Sequence, residues 1–224
     1  MMKLNNKTID ILRNFGMIQP NLVVESGSTI STLAEAKHIM AEAQIDETFD
    51  SGFGIYDLNE FLSAHSLLEG PELDFAESHV ILKSGNAKVK YHFADTEILT
   101  KKTQAIQMPP ADLSFTFTEA NINNIRKAAS SLNLDSPTLS LIVEDGNIVA
   151  RVLCTQNPSS NSYSLVIGKY DGDDTEADYR FNIDNLKLIS GDYSVDITNK
   201  LISNWKHETV SVQYWIALDK TSTV

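Results

Sequence analysis

FGIYDLNEFL, residues 53–62, decides the fold, because the chain says it twice. Phe53, Ile55, Asp57 and Leu58 are echoed by Phe181, Ile183, Asn185 and Leu186. Each copy reads as a strand running straight into a short helix. Two further echoes precede it: Ile9, Leu12 and Arg13 recur as Ile122, Ile125 and Arg126, and VVESG at 23–27 recurs as IVEDG at 142–146. The echoes keep one order, and their drifting offset needs only loop insertions in the second copy. Self-similarity of this kind predicts two copies of one domain.

A chain of 224 residues suits two domains of about 105 to 115 residues each. The break is KTQAIQMPPAD at 102–112, where Pro109–Pro110 forbids helix and most sheet. This predicts a first domain over 1–104, an extended connector over 105–112 and a second domain over 113–224. Helices are expected at 6–16, 57–67, 119–132 and 184–190, with Asp57 and Thr118 as caps. Short strands fill the rest, including KVKYHF (88–93), EILTK (97–101) and SYSLVIG (162–168). The class is α+β, antiparallel strands in a sheet with both helices of each copy on one face.

Several chemistries find no support. The five histidines show no metal spacing, and GxGxxG, Walker, GxSxG and HExxH patterns are absent. His65, on the apolar side of its helix, reads as a core residue, and the lone Cys154 as a small buried hydrophobe without a disulfide partner. The acidic run Asp171, Asp173, Asp174, Glu176, Asp178 lacks the glycine and glutamate of a calcium loop, and reads as a solvated hairpin. No catalytic residue, metal or cofactor is expected. No apolar run approaches the ~20 residues that cross a bilayer, and the start lacks a signal-peptide stretch. A cytoplasmic protein without a membrane partner is the expectation.

Charge is unevenly spread. The chain holds 18 Lys and Arg against 30 Asp and Glu, a net charge of −12. The four expected helices hold five of each sign, so the remainder carries 13 against 25 and the whole net charge. Four of the helical acids sit in caps or first turns, where helix polarity favours them. The helix surface is therefore less acidic than the rest of the molecule.

IYDLNEFL at 55–62 resembles the corresponding run in the sliding clamps of T-even-type tailed phages. So do GKYDGDD at 168–174, FNIDNLKL at 181–188 with SGDY at 190–193, and the closing YWIALD at 214–219. The resemblance covers essentially the whole chain, connector included. It implies a DNA polymerase processivity factor with the fold of proliferating-cell nuclear antigen. Two copies of a DNA-clamp domain per chain would form a head-to-tail homotrimer, a closed pseudo-sixfold ring. Helices would line the inner face, around duplex DNA, and antiparallel sheets would form the outside. An ATP-dependent clamp loader would open it, and the clamp itself would catalyse nothing. Partners would be double-stranded DNA without sequence preference, the replicative polymerase, the loader, and late-transcription sigma-like and coactivator proteins, in the cytoplasm of an infected bacterium.

Carried onto this chain, the resemblance makes Lys7, Arg13, Arg126, Lys127 and Lys187 lumen residues, with Lys3 a further candidate on the first strand. The helix from Asp57 has no Lys or Arg, so little DNA contact is expected there. The pocket for partner peptides would use Ile106, Met108 and Pro109 of the connector with Tyr214, Trp215, Ile216, Ala217 and Leu218, completed by Ile45. Alternate residues of 210–218 must point into the second core, so about half of 214–218 is structural. Ring closure would use exposed strand edges, with KVKYHF, EILTK and SYSLVIG as candidates. Two other readings compete: a duplicated β-rich protein-binding scaffold without DNA encirclement, and an enzyme with a site assembled between domains.

Overall fold

A computed structural model describes residues 1–102, 105–157, 159–172 and 176–224. It divides into two compact units, Met1–Ala105 and Ile106–Val224. The expected boundary at 104 and the acidic residues 173 and 174 lie outside the described residues.

The first unit begins with helix α1 (Asn6–Ile18). The Asn5 side chain accepts from the Thr8 N–H at 2.8 Å, satisfying one of the donors a helix start leaves free. Ile9, Ile11, Leu12, Phe15 and Ile18 form the buried stripe. Strands β1 (Leu22–Val24), β2 (Gly27–Leu33), β3 (Ile39–Phe49) and β4 (Phe53–Ile55) follow, then helix α2 (Leu58–Ser66) and strands β5 (Glu72–Phe75), β6 (His79–Ser84) and β7 (Ala87–His92). As expected, Asp57 caps α2, accepting from Asn59 N–H at 2.8 Å and Glu60 N–H at 3.4 Å. Strands lie side by side in the order β4, β1, β2, β3, and β5, β6, β7 form a second sheet. A single bridge, Met2 to Leu73, adds the chain's start to β5.

The second unit repeats this plan: β8 (Leu113–Phe117), α3 (Glu119–Ser131), β9 (Pro137–Glu144), β10 (Asn147–Cys154), β11 (Tyr163–Lys169), β12 (Asp178–Asn182), β13 (Tyr193–Thr198), β14 (Ile202–His207) and β15 (Val212–Ala217). Its strand orders are β12, β9, β10, β11 and β8, β13, β14, β15. Strand for strand this matches the first unit, with β8 in the place of the Met2 bridge. The pairings within each unit are antiparallel. The α+β reading and the duplication therefore hold, with two sheets per copy instead of one.

Echoed residues occupy equivalent places. Phe53 packs with Phe49, Phe75 and Phe93, with ring centroids 4.7 to 5.3 Å away. Phe181 meets Trp205 edge-on at 5.9 Å, and Phe117 and Tyr193 also pack on that indole. Trp205 lies at 0% exposure, and its Nε1–H donates to the Ser203 hydroxyl at 2.9 Å. Such aromatic clusters contribute burial plus about 0.5–1.5 kcal/mol per well-placed pair.

Two expected elements differ. The helix at 184–190 is a 3-10 turn, Ile183–Asn185, capped by Asn182. Ile183 in the turn and Leu186 and Leu188 beyond it are buried, a spacing that an α-helix cannot keep on one side. EILTK is not a strand. Asp95 accepts from the Glu97 N–H at 2.9 Å and starts a 3-10 turn, Thr96–Ile98, which removes it as an edge for pairing.

Gly54 sits where two backbones touch: its carbonyl accepts from Ala94 N–H at 2.9 Å. A Cβ there would lie 2.6 Å from the Ala94 oxygen and 2.8 Å from Leu99 Cδ1. Gly54→Ala is expected to destabilise the first domain by about 1–3 kcal/mol. Both tryptophans lie in the second domain. The loss should therefore show in urea unfolding followed by circular dichroism, with the fluorescence transition little moved.

Candidate nucleic-acid interface

A helix that buries one stripe on a sheet must present its other side elsewhere. On α1 that side carries Asn6, Lys7, Asp10 and Arg13, all exposed. Arg13 pairs with Asp10 at 2.8 Å, one turn earlier, which leaves Lys7 the unpaired cation of this face among the described residues. On α3 the exposed residues are Glu119 and Ala120 in the first turn, then Asn123, Asn124, Lys127, Ser130 and Ser131, and Lys127 makes no ion pair among the described residues. The faces are amide-rich and weakly cationic. On α2, Asn59, Glu60 and Ser63 are exposed.

The named cations fall into three groups. Lys7 and Lys127 project from helices. Arg13 is exposed but partly neutralised, and Lys3, off the helices, lies 3.7 Å from Glu72. Arg126 and Lys187 are placed differently. Arg126 is half-buried, and its Nη2 donates to the Leu186 and Leu188 carbonyls at 2.8 and 3.3 Å. It fastens α3 to the segment after the 3-10 turn, supplying donors that a full helix would have provided itself. Lys187 lies on that segment and is half-buried. Arg126→Met should therefore destabilise the second domain by about 1.5–3 kcal/mol, the usual range for a hydrogen bond from a charged group. Lys127→Met should change it by less than ~0.5 kcal/mol. Trp fluorescence in a urea titration distinguishes the two.

His65 sits on the side of α2 facing α1 and is half-buried, with Nε2 unpartnered among the described residues. Burial first, then the Arg13 charge, holds its pKa below the usual value. The folded state therefore binds fewer protons than the unfolded state as pH falls below about 6.5, so stability drops across that window. His65→Gln should flatten the decline in Tm between pH 7 and 5; an unchanged slope would show that His65 is not responsible.

The peptide-pocket residues separate by alternation along β15. Tyr214 and Ile216 lie at 0% exposure in the second core, where Tyr214 Oη accepts from Ile189 N–H at 3.3 Å. Burial pushes the Tyr214 phenol well above its usual range. Trp215 and Ala217 occupy the other side of the strand. Ala217 is exposed, whereas Trp215 is 8% exposed with its Nε1 unpartnered among the described residues. Leu218 is buried past the strand end, and its N–H donates to Leu201 O at 2.9 Å. Ile106, Met108 and Pro109 are half-exposed, without regular structure, and Ile45 is buried in β3 of the other unit. A feature that sequence reasoning missed is a polar cleft of about 490 Å³ in the first unit. It is lined by Ser26, Ser28, Thr29, Glu42, Lys101 and Lys102, among others. Its one sequence signal is the serine and threonine run after Glu25.

Residues 114–220 match the family model described as gp45 sliding clamp, C terminal. The chain is 31% identical to the sliding clamp of Vibrio phage KVP40, covering 97% of this chain and 99% of that one. It is 28% identical to the sliding clamp of Enterobacteria phage T4, covering 99% of each. Among solved structures it is similar to the clamp in "C-terminal region of FEN-1 bound to A. fulgidus PCNA", with TM-score 0.70, 14% identity and 96% of each chain covered. At that identity the likeness speaks for the fold alone.

Proposed function

From the premise that the chain belongs to the phage sliding-clamp family, and is a DNA sliding clamp, we propose that three copies close into a ring around duplex DNA. The observation that carries this reading is the pair of end strands, β7 and β11. Each has one strand neighbour among the described residues. An uncovered edge presents a row of free N–H and C=O groups and invites pairing. Joining β7 of one copy to β11 of the next is a head-to-tail contact, which closes when the rotation returns after three copies. The KVKYHF and SYSLVIG runs are these strands.

In the ring the exposed sides of α1 and α3 face the DNA, with Lys7 and Lys127 as its main cations. Arg13, Lys3 and Lys187 are secondary, and Arg126 is chiefly a fastener. A topological hold needs no tight phosphate grip, and weak cationic faces inside an acidic shell let DNA through while repelling it from the outside. The clamp is a tether without catalysis of its own. Residues 105–112 connect the domains, and Ile106, Met108 and Pro109 with Trp215, Ala217 and Leu218 receive apolar anchors of partner peptides. The partners are the replicative polymerase, an ATP-dependent loader and late-transcription proteins, in the host cytoplasm.

The test is retention. Loaded by a family clamp loader and ATP onto nicked circular DNA, the protein should stay on the circles. It should run off within minutes once a restriction enzyme linearises them. Equal retention on circles and open-ended linear DNA would contradict sliding.

A further inference from the structure

The chain carries −12 overall, yet the fourteen residues His79–His92 hold Lys83, Lys88, Lys90 and two histidines with no Asp or Glu. This is the β6–β7 hairpin. Lys83 is neutralised by Asp74 at 2.9 Å, but Lys88 and Lys90 are exposed and make no ion pair among the described residues. His79 and His92 face each other across the hairpin, their rings 5.8 Å apart. Burial first, then the charges of Lys90 and His92, holds His79 below its usual pKa against an opposite pull from Asp74. Through Lys88 and Lys90 the hairpin thus shows a positive patch on an acidic protein. Glu60, which lines a cleft of about 350 Å³ with Tyr56, Lys90 and His92, is the nearby carboxylate that tempers it.

The other end strand has the complementary arrangement. β11 carries one charge, Lys169 at its last position, and the chain then turns acidic. Asp171 and Glu176 are exposed and make no ion pair among the described residues. Asp178, by contrast, is taken by Arg180 at 2.7 Å. Each edge also has an exposed apolar residue to bury: Tyr56, 67% exposed, beside β7, and Val166, 58% exposed, on β11.

We infer that the ring is held by an electrostatic clasp, in which Lys88 and Lys90 on the β6–β7 hairpin of one copy receive Asp171 and Glu176 after β11 of the next. This rests on the ring reading above. Antiparallel pairing of β7 with β11, the sense of the pairings within both units, brings the start of β7 beside the end of β11. Lys88 then lies toward Asp171. The occupant is a second copy because the matching carboxylates are on the chain itself. A single exposed ion pair contributes little. The clasp, however, recurs at each junction and sits within a Debye length, about 8 Å at physiological salt, so salt weakens every junction at once.

The test is mass by light scattering or sedimentation over a dilution series. Lys88→Glu/Lys90→Glu and Asp171→Lys/Glu176→Lys should each dissociate at concentrations about tenfold higher than the unsubstituted chain, with unchanged melting of the domains. The variant with all four substitutions should regain association. Raising NaCl from 50 to 500 mM should promote dissociation of the unsubstituted chain and of the fourfold variant, but not of either double variant, whose like charges repel. Double variants that associate like the unsubstituted chain, or a fourfold variant no better than either double, would overturn the clasp while leaving the ring. An intact trimer whose hairpin variant instead loses DNA retention would assign the hairpin to DNA and also overturn it. A chain that stays single at every concentration would overturn clasp and ring together.

Discussion

Packing of a one-striped helix on an antiparallel sheet is the constraint from which the rest follows. Phe15 at 0%, Ile11 at 3% and Leu12 at 4% exposure commit one side of α1 to the core, and Ile122 and Ile125 do the same for α3. Burial of each such side chain contributes about 1.5–3 kcal/mol, so neither helix can roll over without losing several of them. The direction of the opposite sides is thereby decided in both domains, and those sides are rich in asparagine and lysine, with Asp10 paired to Arg13 on α1 and Glu119 in the first turn of α3. The surface proposed to face DNA is thus placed by the core, not by its own chemistry.

That arrangement explains the economy of the proposed lumen. Strong phosphate contacts would raise affinity and hinder sliding, whereas amides and a few lysines supply weak, sequence-blind attraction. The acidic excess lies on strands and loops, which in the proposed ring would keep nucleic acid off the outside. Arg126 shows why counting cations overstates the effect: its charge is directed at the Leu186 and Leu188 carbonyls, a structural duty just past the 3-10 turn that stands where the first domain has helix α2.

Much of this was legible from residue patterns. The stripes of α1 and α3, the caps at Asp57 and Thr118, and the echo of Phe53 in Phe181 all follow local rules of period and capping, which sequence carries directly. What stayed hidden depends on contacts far along the chain. EILTK has strand composition, but Asp95 turns it into a 3-10 start. FNIDNLKL has the helix residues of its earlier copy, but its helix is a single 3-10 turn and Leu188 is buried on the irregular segment beyond it. The two sides of β15 were predictable as alternation, yet which side meets the core required the register Trp205 to Tyr214 and Asn204 to Trp215. Arg126 gave no signal at all, since a helical arginine reads the same whether it points to solvent or to a carbonyl.

The central claim, that the polar sides of α1 and α3 look onto DNA, is tested most directly by site-specific photocrosslinking. A photoreactive residue at Lys7, Asn123 or Lys127, and controls at Glu144 and Glu208 on strand ends and loops, would be compared on protein loaded onto closed circular DNA. The account predicts crosslinks to DNA from the helix positions and none above background from the controls. Crosslinks from the control positions, with the helices silent, would contradict it.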